Sequence, residues 1–273
     1  MDNYIVVYSA IVLYLACSAQ LFFYIKQPLN HAPDKIDSRP KKHIIAIGLG
    51  GFLLHCFALY SSMLIPEGIN LGFYNAMSLT SAFIVLLTLI ATWRHPVEIL
   101  SIILLPAAAI TMLLDINSNT DHLLPTDSSN ALIFHILTSI IAYSVLALAA
   151  LQAVLLSIQN KFLHAHQPGG IIKLMPPLKD MEVILFEVIA VGFVMLTVSL
   201  GSGLIFLENM FAQHLAHKTV LSILAWFVFL VLLIGHWKLG WRGRIAIRWT
   251  LTGFISLMLA YFGSKFVLEI LLP

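Results

Sequence analysis

The chain has 273 residues, of which 60% are hydrophobic and only 10% are charged, and its mean hydropathy is +0.94. Soluble domains carry about 25% charged residues, so this composition excludes an ordinary soluble protein and indicates an integral membrane protein. The net charge of +2 gives no support to nucleic-acid binding, which needs a clustered basic surface.

Eight apolar runs are long enough to cross a hydrocarbon core of about 30 Å as helices. We therefore predict an all-α polytopic membrane protein, a bundle of about eight transmembrane helices that forms a single integral membrane domain over residues 1–273. The first run lacks a basic leading segment, so we expect it to be retained and not cleaved as a signal peptide. In chain order, the predicted spans are 4–25, 44–66, 76–93, 97–114, 131–159, 183–207, 219–237 and 249–271.

The connections between these spans set the expected orientation. If the first connection is cytoplasmic, only Lys218 and Lys265 of the 15 Lys and Arg residues fall on the outer side, which leaves 13 inside. This positive-inside distribution predicts that both termini lie on the outer, periplasmic face of a bacterial inner membrane. The connections at 115–130 and 161–182 are rich in turn-forming residues and are predicted to be loops, not separate domains.

The sequence carries no recognisable catalytic pattern. It has no phosphate-binding Gly-x-x-x-x-Gly-Lys and no pair of carboxylates inside a span. Cys17 and Cys56 lie in separate apolar runs without C-x-x-C spacing, which argues against a disulfide framework or a zinc site. We therefore expect that the protein is not an enzyme.

Three histidines lie inside predicted spans: His55 in GFLLHCFALY, His135 in LIFHILTS and His236 in IGHWKLGWRGR. An imidazole in the hydrocarbon region costs free energy unless it faces the bundle and finds a partner. That partner is either a polar group of a neighbouring helix or a metal. Imidazole is a common ligand of haem iron, and no clustered thiolates or carboxylates accompany these histidines, so haem fits better than zinc or calcium.

Depth in the membrane limits which of these histidines can share one haem. At about 1.5 Å per residue, His135 lies about 6–8 Å below the outer surface, His55 about 15–17 Å and His236 about 25 Å. One iron therefore cannot take all three, and the pair of His135 and His236 is not expected. His55 with either of the other two remains open.

The fifth, seventh and eighth runs carry a pattern that resembles a known family. The stretches LIFHILTSIIAYSVLALAALQAVLL, KTVLSILAWFVFLVLLIGHWKLGWRGRIAI and LAYFGSKF are similar to the cytochrome c assembly family of haem-handling membrane proteins, which includes the CcsA, CcmC and HemX groups. The likeness extends over nearly the whole chain. It implies an inner-membrane protein that binds haem b and acts in haem handling, sensing or cytochrome c assembly.

The resemblance also implies roles for individual residues. His236 matches an intramembrane haem ligand and His135 an outer-face ligand, while Arg242 and Arg244 are candidate partners of the haem propionates. His55 is the third candidate ligand. The implied partners are haem and the lipid bilayer, with another membrane or periplasmic protein as a further candidate.

Two segments depart from the pattern of the family's haem-presenting members. Those members carry a tryptophan-rich outer segment where this chain reads LENMFAQHLAHKT, and a second outer histidine where it reads YFGSKFVLEILLP. We therefore expect no haem presentation to apocytochrome, and the pattern is closer to the HemX branch. The alternative function is a non-catalytic membrane scaffold or accessory subunit that has lost haem binding and acts through a partner membrane protein.

Overall fold

The fold is described by a computed structural model that covers residues 3–26, 39–66, 68–117, 123–125, 129–165, 175–206 and 216–266. Within these ranges, eight helices are long and apolar enough to cross a membrane. The prediction of an all-helical protein with eight spans is therefore confirmed. The prediction of one integral membrane domain over residues 1–273 stays a prediction.

Short strands follow two of the helices, the second and the fourth. The α-helices are α1 (Asn3–Lys26), α2 (Arg39–Met63), α3 (Phe73–Arg94), α4 (Glu98–Ile116), α5 (Asn130–His164), α6 (Leu178–Phe206), α7 (Ala216–Leu239), α8 (Arg244–Met258) and α9 (Ser264–Phe266). A π-helical segment, Leu259–Gly263, joins α8 to α9. The strands are β1 (Leu64–Ile65), β2 (Gly68–Asn70) and β3 (Leu123–Pro125).

Backbone contacts divide the chain into two compact units. The first comprises Met1–Leu124 with Gly169–Pro176, and the second comprises Pro125–Pro168 with Pro177–Pro273. Each spanning helix belongs to one unit, with α1 to α4 in the first and α5 to α8 in the second.

In the first unit, α1 contacts α2 and α4, and α3 contacts α2 and α4. Two glycines of α2 permit the close approach of its neighbours. A Cβ on Gly48 would lie 2.9 Å from Leu89 Cδ2, and one on Gly51 would lie 2.8 Å from the Tyr14 ring. Any side chain at these positions would push the helices apart, so the two glycines set the spacing of α1, α2 and α3.

A short hairpin follows α2 and was not predicted. β1 and β2 pair antiparallel, with Leu64 opposite Ile69 and Ile65 opposite Gly68, and β3 is next to β2 in the sheet order. Gly68 adopts a φ of 147°, a conformation that residues with a Cβ rarely adopt. The apolar run at 44–66 therefore ends as a helix at Met63 because its last residues pair as a strand.

In the second unit, α5 is 35 residues long and packs along α6, while α8 contacts both α5 and α7. α5 and α6 pack closely at Gly192, where a Cβ would lie 2.5 Å from Leu146 Cδ2. Tyr143 of α5 contacts three aromatic rings, with ring centroids 5.2–5.8 Å apart: Phe254, Tyr261 and Phe262. This aromatic cluster joins α5 to α8 and the π-helical segment.

The beginning of the last span differs from the prediction. α8 begins at Arg244, whereas hydropathy predicted a start at residue 249. Gly240 and Gly243 have positive φ values of 68° and 56°, so the reversal of the chain is completed within four residues and a new helix begins at once. The predicted loops at 115–130 and 161–182 lie partly outside the described residues, as do the segment 207–215 and the chain end after residue 266.

Replacing Gly192 with Ala should lower the free energy of unfolding by about 1–3 kcal/mol, the usual cost of overpacking a core. Leu146 is fully buried, so it has no open space into which to move. Gly201→Ala in the same helix is the control, because no described atom lies within 4 Å of its added Cβ. Thermal unfolding in detergent should show a lower Tm for Gly192→Ala only, and equal Tm values for both variants would contradict the packing.

Candidate functional site

The C-terminal end of α7 folds back on itself. Gly240, with φ of 68°, follows the last residue of the helix, and its N–H donates to the carbonyl of His236 at 3.2 Å. This is the left-handed glycine cap that commonly ends a helix. The next N–H, of Trp241, donates to the carbonyl of Gly235 at 3.1 Å. The turn therefore returns Trp241 to the turn of helix that contains His236.

Gly235 provides the space for this return. The Trp241 indole lies where a Cβ of Gly235 would stand, so no larger residue fits there without displacing the ring. The indole also packs against Trp249 of α8, with ring centroids 5.5 Å apart. The sequence GHWKLGW thus forms its turn through two glycines with different roles: Gly235 accommodates the indole and Gly240 reverses the backbone.

His236 is fixed by two contacts. Its Nδ1 lies 3.0 Å from the carbonyl oxygen of Trp241, and its ring stacks on Phe186 of α6 with centroids 3.5 Å apart and an interplanar angle of 14°. A carbonyl only accepts hydrogen bonds, so Nδ1–H donates, and the neutral tautomer that fits this contact has its lone pair on Nε2. Histidines that ligate metals are held in this way, with the other ring nitrogen donating to a carbonyl or carboxylate.

A half-open cavity of about 320 Å³ lies beside His236. This volume is at the lower end of the range for small-molecule sites, about 300–1,000 Å³. The walls combine apolar side chains with two cations and two carboxylates: Lys179, Glu182, Val183, Phe186, Glu187, Ala190, His236, Trp237 and Arg242. The structure thus brings His236 and Arg242 to one cavity. Arg244 is exposed at the start of α8 and is not among the lining residues.

Glu182 connects α6 to the turn after α7. Its Oε1 accepts a hydrogen bond of 2.8 Å from the N–H of Gly243, which lies 61 residues away in sequence. Sequence reasoning missed Glu182, and also Lys179 and Phe186. The available signal was helical spacing, because Lys179, Glu182 and Phe186 recur at intervals of three and four residues and so share one face of α6.

His135 lies near the start of α5 and has a similar arrangement. Its Nδ1 is 2.9 Å from the carbonyl of Ser199 and 3.1 Å from the hydroxyl of Ser202, both in α6. Because the carbonyl of Ser199 only accepts, Nδ1–H donates here too and Nε2 carries the lone pair. The hydroxyl of Ser139, one turn along α5, lies 2.6 Å from that of Ser199.

His135 of α5 and His236 of α7 contact α6 at distant positions. His135 contacts α6 at Ser199, whereas His236 contacts it at Phe186. These positions are 13 residues apart (199 − 186), which corresponds to about 20 Å along a helix. One iron therefore cannot bind both rings.

His55 lies in the first unit and is fully buried. Its Nδ1 is 3.1 Å from the hydroxyl of Tyr14 and its Nε2 is 3.0 Å from the hydroxyl of Ser78. Both ring nitrogens are therefore hydrogen-bonded, and the cavity beside them measures about 30 Å³, room for about one water molecule. Ligation of iron would require one of these two bonds to break, and the assignment of His55 as a ligand stays a prediction.

The fold and the cavity define a polytopic helical membrane protein with a histidine held at one end of a spanning helix. A sequence model of the family described as "Cytochrome C assembly protein" matches residues 44–272. The chain belongs to this family, and the predicted family membership is confirmed.

Among individual proteins, the chain is 34% identical to the inner membrane protein YpjD of Escherichia coli K12 over 225 residues, 80% of this chain and 83% of that protein. It is 31% identical to a 28.8 kDa protein of Azospirillum brasilense over 140 residues, 50% of this chain and 52% of that protein. It is 26% identical to the cytochrome c biogenesis protein CcsA of Chlamydomonas reinhardtii over 149 residues, 54% of this chain and 41% of that protein.

No solved structure matches this chain. The eight helices of the described residues that are long and apolar enough to cross a membrane, together with the similarity to YpjD, confirm the predicted localisation in the bacterial inner membrane.

Replacing Glu182 with Ala should speed amide hydrogen exchange at Gly243 by about tenfold or more, because a hydrogen bond to a charged group contributes about 1.5–3 kcal/mol. Glu182→Gln keeps a carbonyl acceptor and should have a smaller effect. Glu187→Ala, on the same helix and lining the same cavity, is the control. Hydrogen exchange measured by mass spectrometry in detergent tests this expectation. Equal exchange at Gly243 in all three variants would refute the role of the hydrogen bond from Gly243 to Glu182.

Proposed function

We propose that this protein binds haem b and acts in haem handling, sensing or cytochrome c assembly without catalytic turnover. The observation that carries the proposal is the state of His236: Nδ1–H is held by the Trp241 carbonyl, which leaves the Nε2 lone pair for a metal, beside a cavity. Haem iron accepts such a lone pair as an axial ligand. The family membership and the similarity to CcsA support the same function.

Two cations of the cavity are candidate partners of the haem propionates. Haem carries two propionates on a large apolar ring, and the cavity offers Arg242 and Lys179, together with the carboxylates Glu182 and Glu187, beside apolar side chains. Arginine is suited to carboxylates because its planar guanidinium forms two parallel hydrogen bonds. Arg242 is therefore the first candidate partner of a propionate, and the exposed Arg244 is the second.

The three histidines rank by the availability of a ring nitrogen. His236 comes first because its lone pair belongs to a residue that lines the cavity. His135 comes second, because its Nδ1–H is also held by a carbonyl. His55 comes third, because both of its nitrogens have hydrogen-bond partners.

Haem binding is tested by the visible spectrum and the pyridine haemochrome content of detergent-purified protein produced with ample haem. Wild type should contain haem close to one per chain, and His236→Ala should lose or shift the Soret band because the axial ligand is removed. Added imidazole should restore the band in this variant, since free imidazole can occupy the space that the side chain leaves.

The control is His164→Ala, which removes an exposed histidine of α5 and should leave the spectrum unchanged. Wild-type protein without stoichiometric haem would refute the proposal. An unchanged Soret band in His236→Ala would refute His236 as the ligand. The His135→Ala and His55→Ala variants then identify which of the other two rings binds iron.

We also propose that both termini lie on the periplasmic face, because this orientation would place 13 of the 15 Lys and Arg residues on the cytoplasmic side, in agreement with the positive-inside rule. A C-terminal alkaline phosphatase fusion should be active, and a C-terminal green fluorescent protein fusion should be dark, because each reporter works on one side only. The same reporters fused after Leu239, at the end of α7, should give the reverse result. A fluorescent full-length fusion would overturn the orientation.

A further inference from the structure

A groove of about 210 Å³ runs between α2 and α3 in the first unit and is separate from the cavity at His236. Its residues are Ile45, Leu49, Leu89, Ile90, Trp93 and Arg94. The first four are aliphatic, and the last two stand at the end of α3. The groove is therefore apolar along its length and carries one cation at one end.

Arg94 has no hydrogen bond or ion pair within the part of the chain that the structure describes. The neighbouring cation Lys41 is different: its Nζ lies 2.5 Å from a carboxylate oxygen of Glu98 and 3.5 Å from the carbonyl of His95. Glu98 thus neutralises Lys41, while the guanidinium of Arg94 keeps its charge and its five N–H donors available.

The position of Arg94 fits a lipid headgroup. It is the last residue of a membrane-spanning helix, where headgroups meet the hydrocarbon region. Trp93 beside it is 58% exposed, and tryptophan is enriched at this interface because its ring is apolar and its N–H is polar. The aliphatic side chains lie towards the middle of the span, where acyl chains are.

The packing of α2 against α3 forms the floor of the groove. The absence of a side chain at Gly48 allows Leu89 to approach α2, since a Cβ there would lie 2.9 Å from Leu89 Cδ2. Leu89 is 1% exposed and Ile45 is 2% exposed, whereas Ile90 at the edge is 45% exposed. The groove is thus a shaped depression with a fixed floor. Its volume is below the range of about 300–1,000 Å³ for compact ligands and fits a segment of an elongated chain.

We propose that this groove binds one anionic phospholipid, with an acyl chain against Ile45, Leu49 and Ile90 and the phosphate on the guanidinium of Arg94. An arginine and a phosphate form charge-assisted hydrogen bonds, which are stronger than those between neutral groups. The acyl chain contributes through contacts with the floor of the groove. The groove shares no lining residue with the cavity at His236.

Native mass spectrometry of the full-length protein, with added phosphatidylglycerol or phosphatidylcholine of identical acyl chains, tests the proposal. Wild type should bind the first phosphatidylglycerol molecule about tenfold more tightly than phosphatidylcholine, because the trimethylammonium group of phosphatidylcholine neutralises its phosphate within the headgroup and weakens the contact with Arg94. Arg94→Gln should abolish this preference. Leu49→Trp, which fills the groove, should weaken the binding of both lipids.

The matched control is Lys42→Gln, which removes one positive charge from an exposed position near the start of α2. This variant should change the affinity less than twofold. Glycerol 3-phosphate, the headgroup chemistry without acyl chains, should not bind at the concentrations that saturate the lipid. Equal affinity of wild type for both lipids would overturn the proposal. So would equal losses in Arg94→Gln and Lys42→Gln, which would indicate general surface charge, or tight binding of glycerol 3-phosphate.

Discussion

The hydrogen bond between His236 Nδ1 and the Trp241 carbonyl is the contact on which the candidate site depends. It requires a backbone that turns back onto its own helix, which in turn requires Gly240 at positive φ and Gly235 without a side chain. The bond fixes the tautomer of the ring and so decides which nitrogen carries the lone pair. Phe186 and Glu182 then hold the ring and the turn from the side of α6.

The three intramembrane histidines differ in the hydrogen-bond partners of their ring nitrogens. Each needs a hydrogen-bond partner for its ring N–H in the hydrocarbon region. His55 does so with two side-chain hydroxyls, one at each nitrogen, whereas His135 and His236 use a backbone carbonyl at Nδ1. A carbonyl bonds one nitrogen and thereby specifies the tautomer. The type of partner, and not burial alone, therefore determines whether a histidine keeps a lone pair available.

The spans were predictable from the sequence because a membrane demands long uninterrupted apolar runs, and the family was predictable from the IGHWKLGWRGR pattern and its neighbours. Helix ends were less predictable. The start of α8 at Arg244 and the β1–β2 hairpin depend on glycines at positive φ, which hydropathy does not register. His236 and Arg242 were identified as site residues, but Glu182 was not. Helical spacing places it on one face of α6 with Phe186, but that spacing does not indicate its partner, a backbone N–H 61 residues away.

Glycines have different roles at helix contacts and in the turn after α7. In α2 and α6, Gly48 and Gly192 bring neighbouring helices close because a Cβ would collide with a packed leucine. At Gly240 and Gly243 the space is open or nearly so, and the positive φ is what requires the residue. A substitution at the first kind acts on helix packing throughout a unit, whereas one at the second kind acts on the turn alone. Since that turn carries the carbonyl that orients His236, the site depends on backbone conformation as directly as on the histidine.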